Sequence, residues 1–389
     1  MDDLAKRSAL EKIAYLLQRD EQDFSFLYKL EAQEINRLYE WVLERLQLDN
    51  SPFWERLAKV TAFIPNFINA RIAEDILGAH ITANLTYHVP VQDALAISRY
   101  FSVEFMAELA QVLVPGRAQH ILHSFPVQDM KKIMHQLLRK KNYYTLGNFV
   151  DYLPIETLLV LAQEIHNEED LLRIAVFSSN KQHLANMLCG FTDDRLLRLV
   201  QAAHRLGLWN ELLGVVSFFD DSLRQRMANI AQDFGPSELL AMLKAACGLQ
   251  LAADMARITQ FLAEKEKARL AQLVPQLSDE ELVAYIRGSC EVKGEKEILQ
   301  IAVYFTEQDY ERVAQLLPQL EDMEILGLIA AAFPARLVPV ILKIASYLPD
   351  EQIPRLRKLM GELGDGASDE MKRLSQELSL GQKIHDILS

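Results

Sequence analysis

Apolar residues along this chain recur at helical spacing almost from end to end, interrupted by short turns, and no sustained period-2 alternation marks a strand. Helix-start signals punctuate the pattern at Thr192-Asp193-Asp194, Ser278-Asp279-Glu280-Glu281 and Thr306-Glu307-Gln308-Asp309. Ser278 and Glu281 have capping-box spacing, with a hydroxyl for one orphan N–H and a carboxylate reaching back to another. The pattern predicts an all-α chain.

The turns themselves are periodic. Phe191, Phe234, Leu277, Leu320 and Leu363 each precede a turn and stand 43 residues apart. The helix before each carries an i, i+3 pair on one face: Leu184 and Met187, Met227 and Ile230, Leu270 and Leu273, Val313 and Leu316, Leu356 and Leu359. After the turn, Leu196, Leu239, Leu282 and Ile325 form one column, and Leu199, Met242, Tyr285 and Leu328 another. A further helix supplies the aromatic column Phe218, Phe261, Tyr304 and Tyr347. A unit of about three helices cannot bury its apolar faces alone, whereas stacked copies share one continuous core. The expectation is an α-α superhelix, an armadillo/HEAT-like solenoid with 43-residue three-helix repeats over 176–363.

Outside that stretch the pattern loosens. Over 71–175 it continues irregularly through Val89, Phe125 and Leu153. Residues 1–70 read as N-terminal capping helices, over 3–18 and 31–47, with another starting at Ser51-Pro52 as N-cap and first helical residue. Trp41, Phe53, Trp54, Phe63 and Phe67 lie here, and the capping role predicts that they plug the first unit rather than form an exposed partner surface. At the other end Gly364-Asp365-Gly366 reads as a loop, and 369–388 as a polar closing helix within a C-terminal cap, 364–389.

Composition narrows the function classes. With 389 residues, half of them apolar, the chain can bury a large core. A net charge of −13 argues against general nucleic-acid binding, which needs clustered Lys and Arg. No apolar h-region follows the charged start, so no signal peptide is expected. Cys189, Cys247 and Cys290, odd in number and widely spaced, fit a reducing compartment, and the cytoplasm is the expected location. Ile325–Leu342 is apolar except for Arg336, but Pro334 and Pro339 punctuate it; two short helices joined at Phe333-Pro334 are expected there, not a transmembrane segment.

The turn phrases Phe125-Pro126-Val127-Gln128-Asp129, Leu153-Pro154-Ile155-Glu156 and Leu348-Pro349-Asp350-Glu351 resemble those of the superhelical cytosolic N-terminal domain of bacterial magnesium-transporter channels. The family's transmembrane helices and tandem regulatory domain are absent, so the resemblance implies a superhelical fold only. Phe63-Ile64-Pro65-Asn66-Phe67 is similar to a phrase of an uncharacterised bacterial helical family.

Candidate chemistry is sparse. His120 and His123 share a helix face but lack further ligands at zinc spacing. Cys247 and Cys290 occupy the same column as His166, His204 and Phe333, which assigns them to packing. Glu168-Glu169-Asp170 could hold a cation with Glu164 and His166, but it suits the first turn of a helix, where the dipole favours carboxylates. One basic run stands out: Lys131, Lys132, His135, Arg139, Lys140 and Lys141, with Tyr143 and Tyr144 beside it. Lys131 falls where Leu159, Leu197 and Leu240 stand in other units. The run reads either as a solvated irregular helix or as a site for a partner's acidic surface, anionic lipid or nucleic acid.

No nucleophile elbow or glycine-rich phosphate loop is present, so no enzyme, cofactor or metal is expected. The expected function is a non-enzymatic scaffold or adaptor binding a protein or peptide partner along a superhelical groove. One alternative is a carrier of a lipid or other apolar ligand, using 325–348 and the Met130 and Met134 stretch. A second is a peripheral membrane regulator docking through the basic run.

Overall fold

The computed structural model describes residues 2–17, 19–48, 51–363 and 365–377, and among these every regular element is a helix. None of these helices is long and apolar enough to cross a membrane. The chain divides into two compact units, Met1–Phe191 and Thr192–Ser389.

In the first unit, helices pack mainly on their next-but-one neighbours. Val103–Val112 lies on Val127–Arg139, and Tyr143–Val150 on Glu168–Phe177. Asp2–Leu17 and Ala32–Leu48 pair through Leu10, Ile13 and Ile35, all fully buried. These two helices do not serve only the start of the unit. The buried Lys12 donates to Ser179, and the Tyr39 and Tyr144 hydroxyls lie 3.2 Å apart, so the N-terminal pair reaches residues far along the same unit. Burial pushes the Lys12 ammonium below its usual range, and Asp151 pulls it back up. Asp151 meanwhile accepts from Ser178 Oγ at 2.6 Å and from the N–H groups of Ser179 and Asn180.

In the second unit the columns read from the sequence are largely interior. Leu196, Leu239, Leu282 and Ile325 are buried, as are Phe234, Leu277 and Leu320 before their turns. The aromatic column is different: Phe218 and Tyr304 are more than a third exposed, and Tyr304 donates to Glu264 as Tyr347 does to Glu307. A polar column also runs through this unit. Arg269, Arg312 and Arg355, 43 residues apart, each donate to carbonyls of a preceding turn: Ala231 and Phe234, Val274 and Leu277, Leu317 and Leu320. Arg226, Arg312 and Arg355 also pair with Asp193, Asp279 and Asp322. Pro236 stands at the corresponding place for Arg269, which takes the Gln232 carbonyl as well.

Two local expectations need correction. The apolar 325–342 run does not break at Phe333-Pro334: Asp322–Ala335 keeps Pro334 in its last turn, and the chain turns at Arg336, φ +58°, before Val338–Ser346. Pro334 forgoes its own bond to the Ala330 carbonyl, but it sits one residue from the helix end, and Leu337 N–H closes the helix on the Ala332 carbonyl at 2.8 Å. Asp365 and Gly366 are not loop either; they open the helix Asp365–Glu377, while Gly364 and 378–388 lie outside the described residues. Burial of Met371 in that helix offsets the glycine's low helix propensity.

Arg336 is one of four left-handed residues at the same place in the second unit. Gly207, Gln250, Lys293 and Arg336 all have positive φ, and in each case the next residue's N–H bonds the carbonyl five back, at 2.8–2.9 Å. Lys141 does the same in the first unit. A left-handed conformation costs a non-glycine residue about 1–2 kcal/mol, part of which glycine's greater unfolded-state freedom takes back. Gln250→Gly and Lys293→Gly are therefore expected to raise stability by about 0.5–1 kcal/mol each. Gly207→Ala should lower it by about 1 kcal/mol, both read by urea unfolding.

Candidate ligand cavity

The interior of the first unit is incompletely filled. A cavity of about 280 Å³ runs among its helices, with walls drawn from residues 57 to 187. Small-molecule sites span about 300–1,000 Å³, and a cavity of roughly 150 Å³ with Leu, Ile and Phe walls stays dry and takes up benzene. This one has the size for a small apolar guest. A second cavity, in the other unit, is about 110 Å³ and includes Ile325, Leu328 and Ile344 in its wall.

The wall of the larger cavity is graded along the chain. Among the described residues, none that is ionisable lines it. Its polar residues are Thr61, Asn69, Thr82, Thr86 and Ser98, and from Phe101 to Met187 every lining residue is apolar. Met106, Met130, Met134 and Met187 contribute thioethers to that end, where unbranched side chains adapt to irregular shapes. Most polar wall groups are occupied within the protein. Thr61 Oγ1 donates to Ala58 O at 2.7 Å, Thr86 Oγ1 to Thr82 O at 2.7 Å, and Ser98 Oγ to Leu95 O at 3.0 Å. Asn69 Nδ2 donates to the Thr61 and Ile64 carbonyls at 2.9 and 3.0 Å. Thr82 is the exception: its hydroxyl is buried and has no hydrogen-bond partner.

The backbone is also unusual here. Asn66–Ile72 runs into a π-turn at Ala73–Leu77, closed by Gly78 at φ +72°, ψ 173°, before Gly78–Thr86 carries Thr82. Only glycine adopts that combination without strain, and nothing lies within 4 Å of where its Cβ would be. Single π-turns within helices concentrate at functional sites. Ala73 and Leu77 from this turn, and Ile72 just before it, line the cavity.

Comparison with family models, curated proteins and solved structures gives no match to this chain. The site therefore stands on its own geometry.

The basic run lies on Val127–Arg139 and the turn after it. Lys132, His135, Arg139, Lys140 and Lys141 are exposed. Lys131 is only 20 % exposed and pairs with Glu164 at 2.6 Å, holding that carboxyl below its usual range. Its place in a leucine column thus fits a half-buried stem with a charged tip at the edge. Lys132 pairs with Asp129 at 2.8 Å, and Arg139 donates to Gln136. Tyr143 and Tyr144 are half-buried: Tyr143 donates to Asp170 at 2.7 Å, and its hydroxyl is pushed up to about 12 by burial and that carboxylate. Tyr144 stacks edge-on with Phe177. The same helix turns Met130, Ile133, Met134 and Leu137 into the cavity wall.

The remaining candidates fall into ordinary structural places. Glu168, Glu169 and Asp170 open Glu168–Phe177, with Asn167 as N-cap. Among the described residues no three His, Cys, Asp or Glu side chains are grouped to hold a metal. Burial pushes the thiols of Cys247 and Cys290 up, to about 11 and about 12, which disfavours the reactive thiolate.

The aromatic plug is a correction. Trp41, Phe53, Phe63 and Phe67 are exposed, Phe63 at 88 %, and only Trp54 is half-buried. In Ser51–Thr61 the inward stripe is Trp54, Leu57, Ala58 and Thr61, at i, i+3, i+4, i+7, which leaves Phe53 and Val60 on the opposite face.

Proposed function

We propose that this protein is a non-enzymatic, cytoplasmic helical-repeat carrier whose first unit holds an apolar ligand. In this reading the 43-residue units form an α-α superhelical frame, of the kind the turn phrases resemble, and the irregular stretch before them is opened into a site. The observation that carries the proposal is the cavity of about 280 Å³, with no ionisable residue among the described residues of its wall. The recess is partly open, and its apolar wall is surface that a guest can cover, gaining dispersion contacts. The arginine column supports the frame, because each guanidinium ties one helix to the turn of a preceding unit.

Native mass spectrometry of the full-length protein from its source cell tests the carrier. A fraction heavier by one small hydrophobic molecule, recovered by organic extraction, is expected. Homogeneous protein at the chain mass that also fails to take up added long-chain alkanes or alkanols would remove the reading.

A second reading, an adaptor for a protein partner, is favoured by the exposed apolar side chains Phe53, Phe63, Phe67, Ile76 and Tyr100. Contiguous exposed apolar surface is where partners bind. It predicts that Phe63→Ser/Ile76→Ser loses one specific partner while ligand uptake is unchanged, measured by quantitative affinity purification.

A further inference from the structure

Resting on the carrier reading, we infer that the cavity recognises a flexible hydrocarbon chain and no head group, so that a polar end, where the guest has one, stays in water at the open side. The hydrogen-bond donors of the wall are already committed. The hydroxyls of Thr61, Thr86 and Ser98 and the Asn69 amide donate to backbone carbonyls. The Thr82 hydroxyl is enclosed by protein atoms, out of a guest's reach. Among the described residues the wall holds no Lys, Arg or His. A carboxylate or phosphate drawn inside would give up its hydration and find neither a donor nor a counter-charge. The cavity is partly open, so such a head keeps its water while the chain is buried.

What the wall does offer is apolar surface. From Phe101 to Met187 every lining residue is apolar, and Met106, Met130, Met134 and Met187 adapt their shape to a flexible chain. Each methylene buried there is worth about fourfold in affinity, until the space is filled. A volume of about 280 Å³, nearly twice that of a benzene-binding cavity, corresponds to roughly ten to twelve carbon-sized atoms. Affinity therefore follows chain length up to that limit and is indifferent to the head.

The test is a calorimetric titration of the full-length protein with 1-decanol, sodium decanoate and 1-octanol at pH 8, where decanoate is ionised. Decanol and decanoate are expected to bind within about fivefold of each other, less than a buried, unpaired carboxylate would cost. Octanol, shorter by two methylenes, should bind about 15-fold more weakly than decanol. Ser98→Ala and Thr86→Val each remove a hydroxyl from the wall and should change decanol affinity by less than about threefold, where a lost hydrogen bond to a head group would cost about five- to tenfold. If either variant proves unstable, the comparison of decanol, decanoate and octanol on wild type decides the matter alone. A wider gap between decanol and decanoate, a larger loss of decanol affinity in a folded variant, or octanol binding as tightly as decanol would overturn the inference while leaving the carrier intact. No saturable binding of any of the three would overturn the carrier reading as well.

Discussion

Gly288→Ala is expected to destabilise the second unit by about 2–3 kcal/mol, although alanine is the better helix former. Gly288 lies inside Asp279–Glu291, the helix that packs against Ala252–Thr259. A Cβ at this position would sit 2.5 Å from Ala253 N and 2.7 Å from the Ala252 carbonyl carbon. Those are backbone atoms of a helix, so relief requires moving one helix off the other and losing contact along both. Helix propensity returns only about 1 kcal/mol per glycine replaced, and overpacking outweighs it. Gly190→Ala is the control. There the nearest atoms belong to the Leu159 side chain, whose terminal methyls can rotate away, and a change below about 1 kcal/mol is expected. Gly147 resembles Gly288, since its Cβ would meet the Ile174 carbonyl oxygen and Phe177 Cβ at 2.6 Å. Chemical denaturation of the three variants checks the order; Gly288→Ala as stable as wild type would mean that the two helices do not approach this closely.

Arg312→Ala should cost a similar amount, about 2–3 kcal/mol, and Arg312→Lys should recover less than half of it. The guanidinium donates to Val274 O at 3.0 Å and Leu277 O at 2.6 Å and pairs with Asp279 at 2.7 Å. Val274 O also accepts the Leu277 N–H at 3.2 Å, so loss of the guanidinium falls chiefly on Leu277 O, whose residue is buried, and on the packing of the arginine stem. The ion pair itself contributes little, because Asp279 is half exposed and screened. Asp279→Asn should therefore cost less than about 1 kcal/mol, which separates turn capping from charge pairing. A lysine offers one ammonium and cannot span two carbonyls and a carboxylate in a fixed fork. Equal stability of Arg312→Lys and wild type would show that charge, not geometry, is what the position supplies.

Much of the second unit's core was legible in the sequence. Leu196, Leu239, Leu282 and Ile325, spaced 43 residues apart, are all buried, because apolar positions at helical spacing turn one face of each helix inward. The arginines were equally periodic but lie on a polar column, and a reading built on apolar spacing passes over them. Nothing in the letters Gln250, Lys293 and Arg336 indicates left-handed backbone; only their register with Gly207 does. The joint lies after Pro334 for the same reason: a proline near a helix end has the sequence of a break, and the left-handed conformation of Arg336 has no signature.

The site was harder to see. Leucine beside a void and leucine beside another side chain have the same sequence, so composition cannot separate a cavity wall from a core. Val89, Phe125, Leu153, Met130 and Met134 line the cavity, so the stretch of irregular spacing contributes much of its wall. The exposed aromatics of 41–67 show the converse limit. With apolar residues on both faces of Ser51–Thr61, only the packing of Ala58 on Leu85 and Val89 decides which face is hidden.

The central claim is that the first unit's cavity takes up an apolar guest, and one measurement tests it most directly: titration of 1-decanol into full-length wild type and Ala162→Phe. Ala162 is buried in the cavity wall, and a phenyl group there occupies the guest's space. Wild type should bind one equivalent saturably, with a negative heat-capacity change from apolar burial, and its thermal transition should rise with decanol concentration. Ala162→Phe should unfold cooperatively yet bind at least tenfold more weakly. Undiminished binding in a folded Ala162→Phe, or no saturable binding in wild type, would contradict the account.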